Sequence, residues 1–265
     1  MEFCSLASGS SGNCLYLATD NTSILIDSGI SGKRTEEALN TIGHTLSDID
    51  AVLVTHEHAD HIQGLGVLAR RKGIPIYATA GTIRKLKGMR SLGEIPETCF
   101  HEVEADRPQQ IGDLSVLPFA ISHDAAEPVG YRVESGTKSA AVATDMGIYT
   151  EDTIRHLQGL DMLLLEANHD VHMLEVGRYP YYLKMRILGE KGHLSNEASG
   201  RLLSELLHDH MKHIVLGHLS QENNYPALAY ETVCAEVTLG DCPYRSGDFP
   251  IHVAERDKVG DLLTF

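Results

Sequence analysis

Ala51-Val52-Leu53-Val54-Thr55-His56-Glu57-His58-Ala59-Asp60-His61 decides how this chain is read. The apolar run 51–54 has the length and composition of a buried strand. Directly after it come three imidazoles and a carboxylate within six residues. Neutral imidazole nitrogens and carboxylate oxygens suit zinc, manganese or iron, and four such groups in one tight turn can serve more than one ion. Buried without a cation, three histidines and two acids would carry a heavy cost in desolvation and repulsion. The stretch points to a metal centre rather than a solvated polar turn.

The rest of the chain sets bounds on that centre. Its 265 residues fall within reach of one α/β or β-sandwich domain, and 42% hydrophobic residues suffice for a core. No apolar run approaches the ~20 residues that cross a bilayer. Met1-Glu2-Phe3-Cys4-Ser5 lacks the basic start and apolar stretch of a signal peptide, so a cytoplasmic protein without membrane contact is expected. Cys4, Cys14, Cys99, Cys234 and Cys242 are odd in number, with no CxxC pair, and read as reduced thiols. A net charge of −15 argues against a general nucleic-acid coat protein. It leaves room for a nuclease, because a local basic groove and bound cations reverse the potential where substrate sits.

Residues 2–7 and 14–19 read as strands around the loop Ser8-Gly9-Ser10-Ser11-Gly12-Asn13, and Asp20-Asn21 as a hairpin turn into 24–27. Helices are predicted over Thr35–Ile42, ending at Gly43, and over Ile62–Arg71, closed by Gly73. Pro75–Tyr77 predicts a short strand, and a basic helix follows around Ile83–Lys87. Leu114–Ile121, Val129–Glu134, Ala140–Thr144, Met162–Leu165 and Ile214–Leu216 read as strands; Thr150–Leu157, Asn196–His210 and Pro226–Glu236 read as helices. Strand runs followed by alternating strands and helices in each half predict two packed sheets with helices outside, in one domain over 1–265.

If the first cluster holds metal, further ligands belong at later strand ends. His123 follows Phe119-Ala120-Ile121, Asp145 follows Ala141–Thr144, and His218 follows Ile214–Gly217. Each is a ligand-type side chain placed where α/β folds gather their sites. Gly147, shortly after Asp145, allows close backbone approach.

The run His56-x-His58-x-Asp60-His61, with Asp27 upstream and His123, Asp145 and His218 downstream, resembles the metallo-β-lactamase-fold hydrolases across nearly the whole chain. The resemblance implies an α/β (α+β) fold, a four-layer αβ/βα sandwich, with two divalent metals. It implies that His56, His58 and His123 hold one ion, that Asp60, His61 and His218 hold the other, and that Asp145 bridges them. Asp27 would stand behind them, fixing a histidine or the turn. His123–Tyr131 and Gly192-His193-Leu194-Ser195 are similar to segments of tRNase Z and related phosphodiesterases. Ser8–Asn13, Leu165–Asp170 and Tyr179–Tyr182 resemble the bacterial WalJ/YycJ family, associated with DNA 5′→3′ exonuclease activity.

Two divalent ions about 3.5–4 Å apart bind a shared water, lower its pKa and stabilise in-line displacement at phosphorus. Asp60 is the candidate for orienting the metal-bridged hydroxide, and His193 for stabilising phosphate charge or protonating the leaving oxygen. The alternative for His193 is a loop histidine orienting the helix cap at Ser195 or Asn196. His169 and His172 flank Asp170 and read as supporting rather than ligating. Ser10, Ser11 and Asn13 are candidates for phosphate contact through hydroxyl and backbone groups, although the loop also serves as a plain turn. Tyr181, Lys184 and Arg186, within the run 178–191, are candidates for base stacking and phosphate neutralisation. The competing reading is a helix whose tyrosines pack on the core. Arg84, Lys85, Lys87 and Arg90 read as a solvated helix face.

The leading expectation is a dinuclear phosphodiesterase acting on DNA, single-stranded or with a free 5′ end. Zinc, manganese and iron all suit its donors. Small-substrate hydrolysis (a cyclic phosphodiester, thioester or lactone) and a tRNA-processing endoribonuclease are the alternatives; no long basic insertion resembles a tRNA-binding arm. Di-iron redox chemistry is disfavoured, because those relatives replace part of the HxHxDH pattern. A binding protein that keeps metals only as scaffold is disfavoured by the presence of all seven ligands.

Overall fold

Short apolar segments buried along their whole length form the strands around the site. In the computed structural model, which describes residues 1–265, β1 (Glu2–Ala7), β2 (Cys14–Ala18) and β3 (Ser23–Ile26) make an antiparallel meander. β4 (Ala51–Leu53), β5 (Ile76–Thr79) and β6 (Phe100–Val103) then continue that sheet from β3 in parallel. Parallel strands need crossovers. These are supplied by α1 (Gly32–Thr41), α2 (Ala59–Ile62), α3 (Leu65–Lys72) and α4 (Ala80–Gly88). β7 (Gln109–Ile111), β8 (Leu114–Ala120) and β9 (Val129–Ser135) form a second antiparallel meander. The chain divides into two compact units, and all these elements lie in the first, which comprises Met1–Ala120, Ala125–Gly136 and Glu255–Thr264.

The second unit, Ile121–Asp124 with Thr137–Ala254 and Phe265, is built on an all-parallel set. β10 (Lys138–Ala143), β11 (Met162–Glu166), β12 (His213–Gly217) and β13 (Ile251–Val253) pair in that order. Its helices are α5 (Glu151–Leu157), α6 (Val171–Val176), α7 (Tyr181–Leu188), α8 (Asn196–Leu206) and α9 (Pro226–Leu239). Gly200 of α8 faces α9 so closely that an added Cβ would meet Glu236 Cβ at 2.5 Å. In the first unit, β14 (Leu263–Thr264) pairs with β1. No helix is long and apolar enough to cross a membrane.

Several boundaries differ from the sequence reading for identifiable reasons. The helix expected over 62–71 is two helices, broken at Gln63-Gly64. There Gly64 N donates to Ser28 O at 2.7 Å, and a Cβ on Gly64 would stand 2.2 Å from Ile30 O. Its first half begins three residues early, so Asp60 and His61 lie on α2 rather than in the preceding turn. Gly73 closes α3 in the left-handed conformation, φ 63°. α1 begins at Gly32 because Ser31 caps it, its side chain accepting from Arg34 N. α8 ends at Leu206 rather than His210, Leu207 turning to extended backbone. β6, β7, β13 and β14 are two to four residues long and carry too little pattern to stand out. The tyrosines of α7 do not pack on the core: that helix buries none of its side chains.

Candidate functional site

In the first unit the turn after β4 is organised by Asp27, which follows β3 in the left-handed region at φ 62°. Thr55 N donates to Asp27 Oδ1 at 2.9 Å, and Thr55 Oγ1 lies 2.9 Å from Oδ2. His61 Nδ1 meets Asp27 Oδ2 at 2.7 Å. The Thr55 hydroxyl, donating to Asp27, accepts from His56 Nδ1 at 3.0 Å. Each of these histidines therefore has Nδ1 engaged, which fixes the tautomer and makes Nε2 the nitrogen that would face a cation. Asp60 Oδ2 stands 3.5 Å from His61 Nε2. His58 packs edge-on to His56, with ring centroids 4.6 Å apart. Glu57 belongs to the frame instead: its Oε1 accepts from Ala126 N at 2.9 Å.

In the second unit the donors again follow strands. Asp145 lies just past β10 and His218 just past β12, both left-handed at φ 61° and 56°. Non-glycine residues held there store strain, which clusters at functional sites. Glu166, the last residue of β11, is fully buried and gathers four donors. Its Oε1 meets His193 Nδ1 at 2.8 Å and His218 Nδ1 at 2.9 Å; its Oε2 accepts from Met146 N at 2.8 Å and Leu194 N at 3.2 Å. Burial pushes the carboxyl's pKa up, but His193 and His218 outweigh that and hold it well below the usual range. His123 donates from Nδ1 to Gly192 O at 3.2 Å.

Asp145 Oδ1 then stands 3.5 Å from His218 Nε2 and 3.7 Å from His123 Nε2. Two ligands of a tetrahedral ion with bonds of ~2.0–2.1 Å lie about 3.3–3.4 Å apart. Asp145 thus stands at ligand spacing from His218 and, separately, from His123, and the pair Asp60–His61 shows the same spacing in the first unit. The residues fit a divalent ion.

The other predicted residues fall as follows. His193, on the loop between α7 and α8, bonds through its ring to Glu166; Ser195 Oγ caps α8 by accepting from Ala198 N, so the cap does not need His193. His169 is buried, burial pushes its pKa down to about 4, and its backbone carbonyl accepts from Asn196 N. His172 is exposed. Ser10 and Ser11 are exposed, and their hydroxyls receive Arg256 Nη1 at 3.4 and 3.1 Å. Asn13 is buried: its amide N–H groups reach Asp60 O at 3.3 Å and His61 Nε2 at 3.2 Å, which ties the loop to the turn and leaves no donor for phosphate. Lys184 Nζ donates to Glu175 O, and Arg186 Nε to Asp124 Oδ2. Arg84, Lys85, Lys87 and Arg90 lie on an exposed face, Lys87 pairing with Glu97.

Sequence reading gave no role to Glu166 or Thr55. Glu166 carries the same signal as Asp145 and His218, a polar residue at the end of an apolar strand. It also missed Gly29, where a Cβ would fall 1.7 Å from Asp60 O.

Comparison with known proteins agrees with this geometry. Residues 22–219 match the β-lactamase superfamily domain. The exodeoxyribonuclease WalJ of Streptococcus pneumoniae is 41% identical over 236 residues, 89% of this chain and 88% of that protein. The exodeoxyribonuclease YycJ of Bacillus anthracis is 40% identical over 233 residues, 88% of each. The crystal structure of Zn2+-bound PqqB from Methylobacterium extorquens superposes with a TM-score of 0.69 at 19% identity, over 98% of this chain and all of that one, a likeness of fold. The chain belongs to the β-lactamase superfamily and, within it, to the family of the exodeoxyribonucleases WalJ and YycJ.

Proposed function

We propose that this protein is a metal-dependent 5′→3′ exodeoxyribonuclease that hydrolyses phosphodiester bonds with two divalent ions. The observation that carries the chemistry is the pair of buried carboxylates, Asp27 and Glu166, each fixing a histidine through Nδ1 behind a second carboxylate, Asp60 or Asp145. The substrate class is supported by the likeness to WalJ and YycJ over nearly nine-tenths of the chain. The single-domain reading is supported by a family match that runs through both units.

His56, His58, Asp60, His61, His123, Asp145 and His218 would hold the ions. When bound, these would supply Lewis acidity that activates water and offsets charge on the phosphate. Asp60 would orient the attacking oxygen. Glu166 accepts from Nδ1 of His193, so Nε2 is the ring atom that would give a proton to the departing 3′ oxygen. Zinc, manganese and iron all suit the donor set.

The test is to load metal-free protein with each ion and supply end-labelled DNA and RNA of both polarities. Ion-dependent release of nucleotides from the 5′ end of DNA is the expected result. Thioester or lactone turnover with no polymer cleavage would overturn the reading.

A further inference from the structure

α7 is an eight-residue helix with no buried side chain. Tyr181 and Tyr182 are 77% and 74% exposed. Met185 and Leu188, both exposed, extend the stripe from Tyr181 at the i+4 and i+7 positions. An apolar surface of this kind left in water marks an interaction site. It is also anchored to the residues assigned to catalysis. His193 N donates to Ile187 O at 3.0 Å, and Ser122 Oγ donates to Glu190 O at 2.7 Å. Arg186 pairs with Asp124, the neighbour of His123. The run 178–191 carries Arg178, Lys184, Arg186 and Lys191 against Glu190 alone, 4 − 1 = +3 within a chain of −15.

We propose that Tyr181 and Tyr182 form a stacking platform for unpaired bases, so that the DNA is engaged as a single strand. This rests on the nuclease reading above. Tyrosine rings stack on any base, which suits an enzyme that must advance through all sequences. Arg178 and Lys191, both exposed, offer charge to the backbone phosphates beside them. Lys184 and Arg186 hold the helix in place through Glu175 O and Asp124. Tyr181 lies six positions from Ile187, about 9 Å of helix at ~1.5 Å per residue. The platform would therefore grip bases along the strand from the bond being cut. Charge complementarity and attachment to His193 favour a nucleic-acid strand over a lipid surface.

The experiment measures binding of a labelled oligothymidylate to the full chain in chelator, by anisotropy, so that no turnover is required. The double variant Tyr181→Ala/Tyr182→Ala should bind about 100-fold more weakly, about tenfold per ring, and the double Phe variant should bind like the wild type. With metal restored, the alanine pair should raise KM for single strands. It should leave kcat unchanged for the p-nitrophenyl ester of thymidine 5′-phosphate, which carries no further base to stack on the rings. Unchanged affinity in the alanine pair, an equal loss in the Phe pair, or lost vesicle binding or self-association with DNA affinity intact would each overturn the platform. A wild type that binds the strand through these rings but cuts no DNA would instead overturn the nuclease reading and leave the platform standing.

Discussion

Three residues in the left-handed region, Asp27, Asp145 and His218, show how this chain trades local comfort for placement. Asp27 is the easiest to test, because it touches His61 and Thr55 but is not itself assigned as a ligand. Asp27→Asn should lower metal affinity by about 10- to 100-fold, the usual effect of removing a carboxylate behind a ligating histidine, as read by chelator competition. Gly29→Ala should disrupt the turn outright, since the new methyl would collide with Asp60 O and backbone cannot yield as a side chain tip does. A fall in both Tm and bound metal is expected, measured on the same sample. The thiols offer a further check. Burial pushes Cys4 and Cys14 from 9.0 up to about 12. A raised folded pKa gives stability that is complete below 9 and is lost as pH climbs towards 12. Both thiols should resist alkylation at pH 8 in the folded chain and react once it is denatured, as peptide mapping would show.

At the scale of elements, the site is built from strand ends, and strand ends are what a sequence displays best. His56, His123, Asp145 and His218 were legible because each interrupts an apolar run with a ligand-type side chain. Glu166 obeyed the same rule but is a carboxylate behind the ligands, and no spacing distinguishes such a residue from a ligand. α2 was hidden for another reason: its four residues cannot show a helical period, and its start is set by tertiary contact at Gly29 and Gly64. α7 was ambiguous because an exposed apolar helix and a buried one have the same composition; exposure is decided by the neighbours it lacks. The cap of α8 gives a prediction free of these ambiguities. Ser195→Ala should cost about 1 kcal/mol, a Tm shift of roughly 2–4 °C, while His193 keeps its bond to Glu166. A much larger loss of activity than of stability in this variant would show that the loop, and not only the ring, depends on the cap.

For the whole molecule, charge and metal act together. With a net charge of −15, the chain gathers several acids and histidines where the ions would reside, and bound cations relieve that repulsion. Chelation should therefore lower Tm, and restoring metal should raise it in proportion to the logarithm of its concentration, as linkage requires. A Tm indifferent to metal would argue that the donors are preformed and held by protein contacts alone.

The backbone strain at Asp27, Asp145 and His218 has a consequence for laboratory evolution. Glycine relieves a left-handed position without clash. A population selected only for heat resistance should drift towards glycine or asparagine at these three sites, hardening the scaffold while erasing its chemistry. Sequencing the survivors of such a selection would reveal how much robustness this enzyme forgoes to keep its ligands in place.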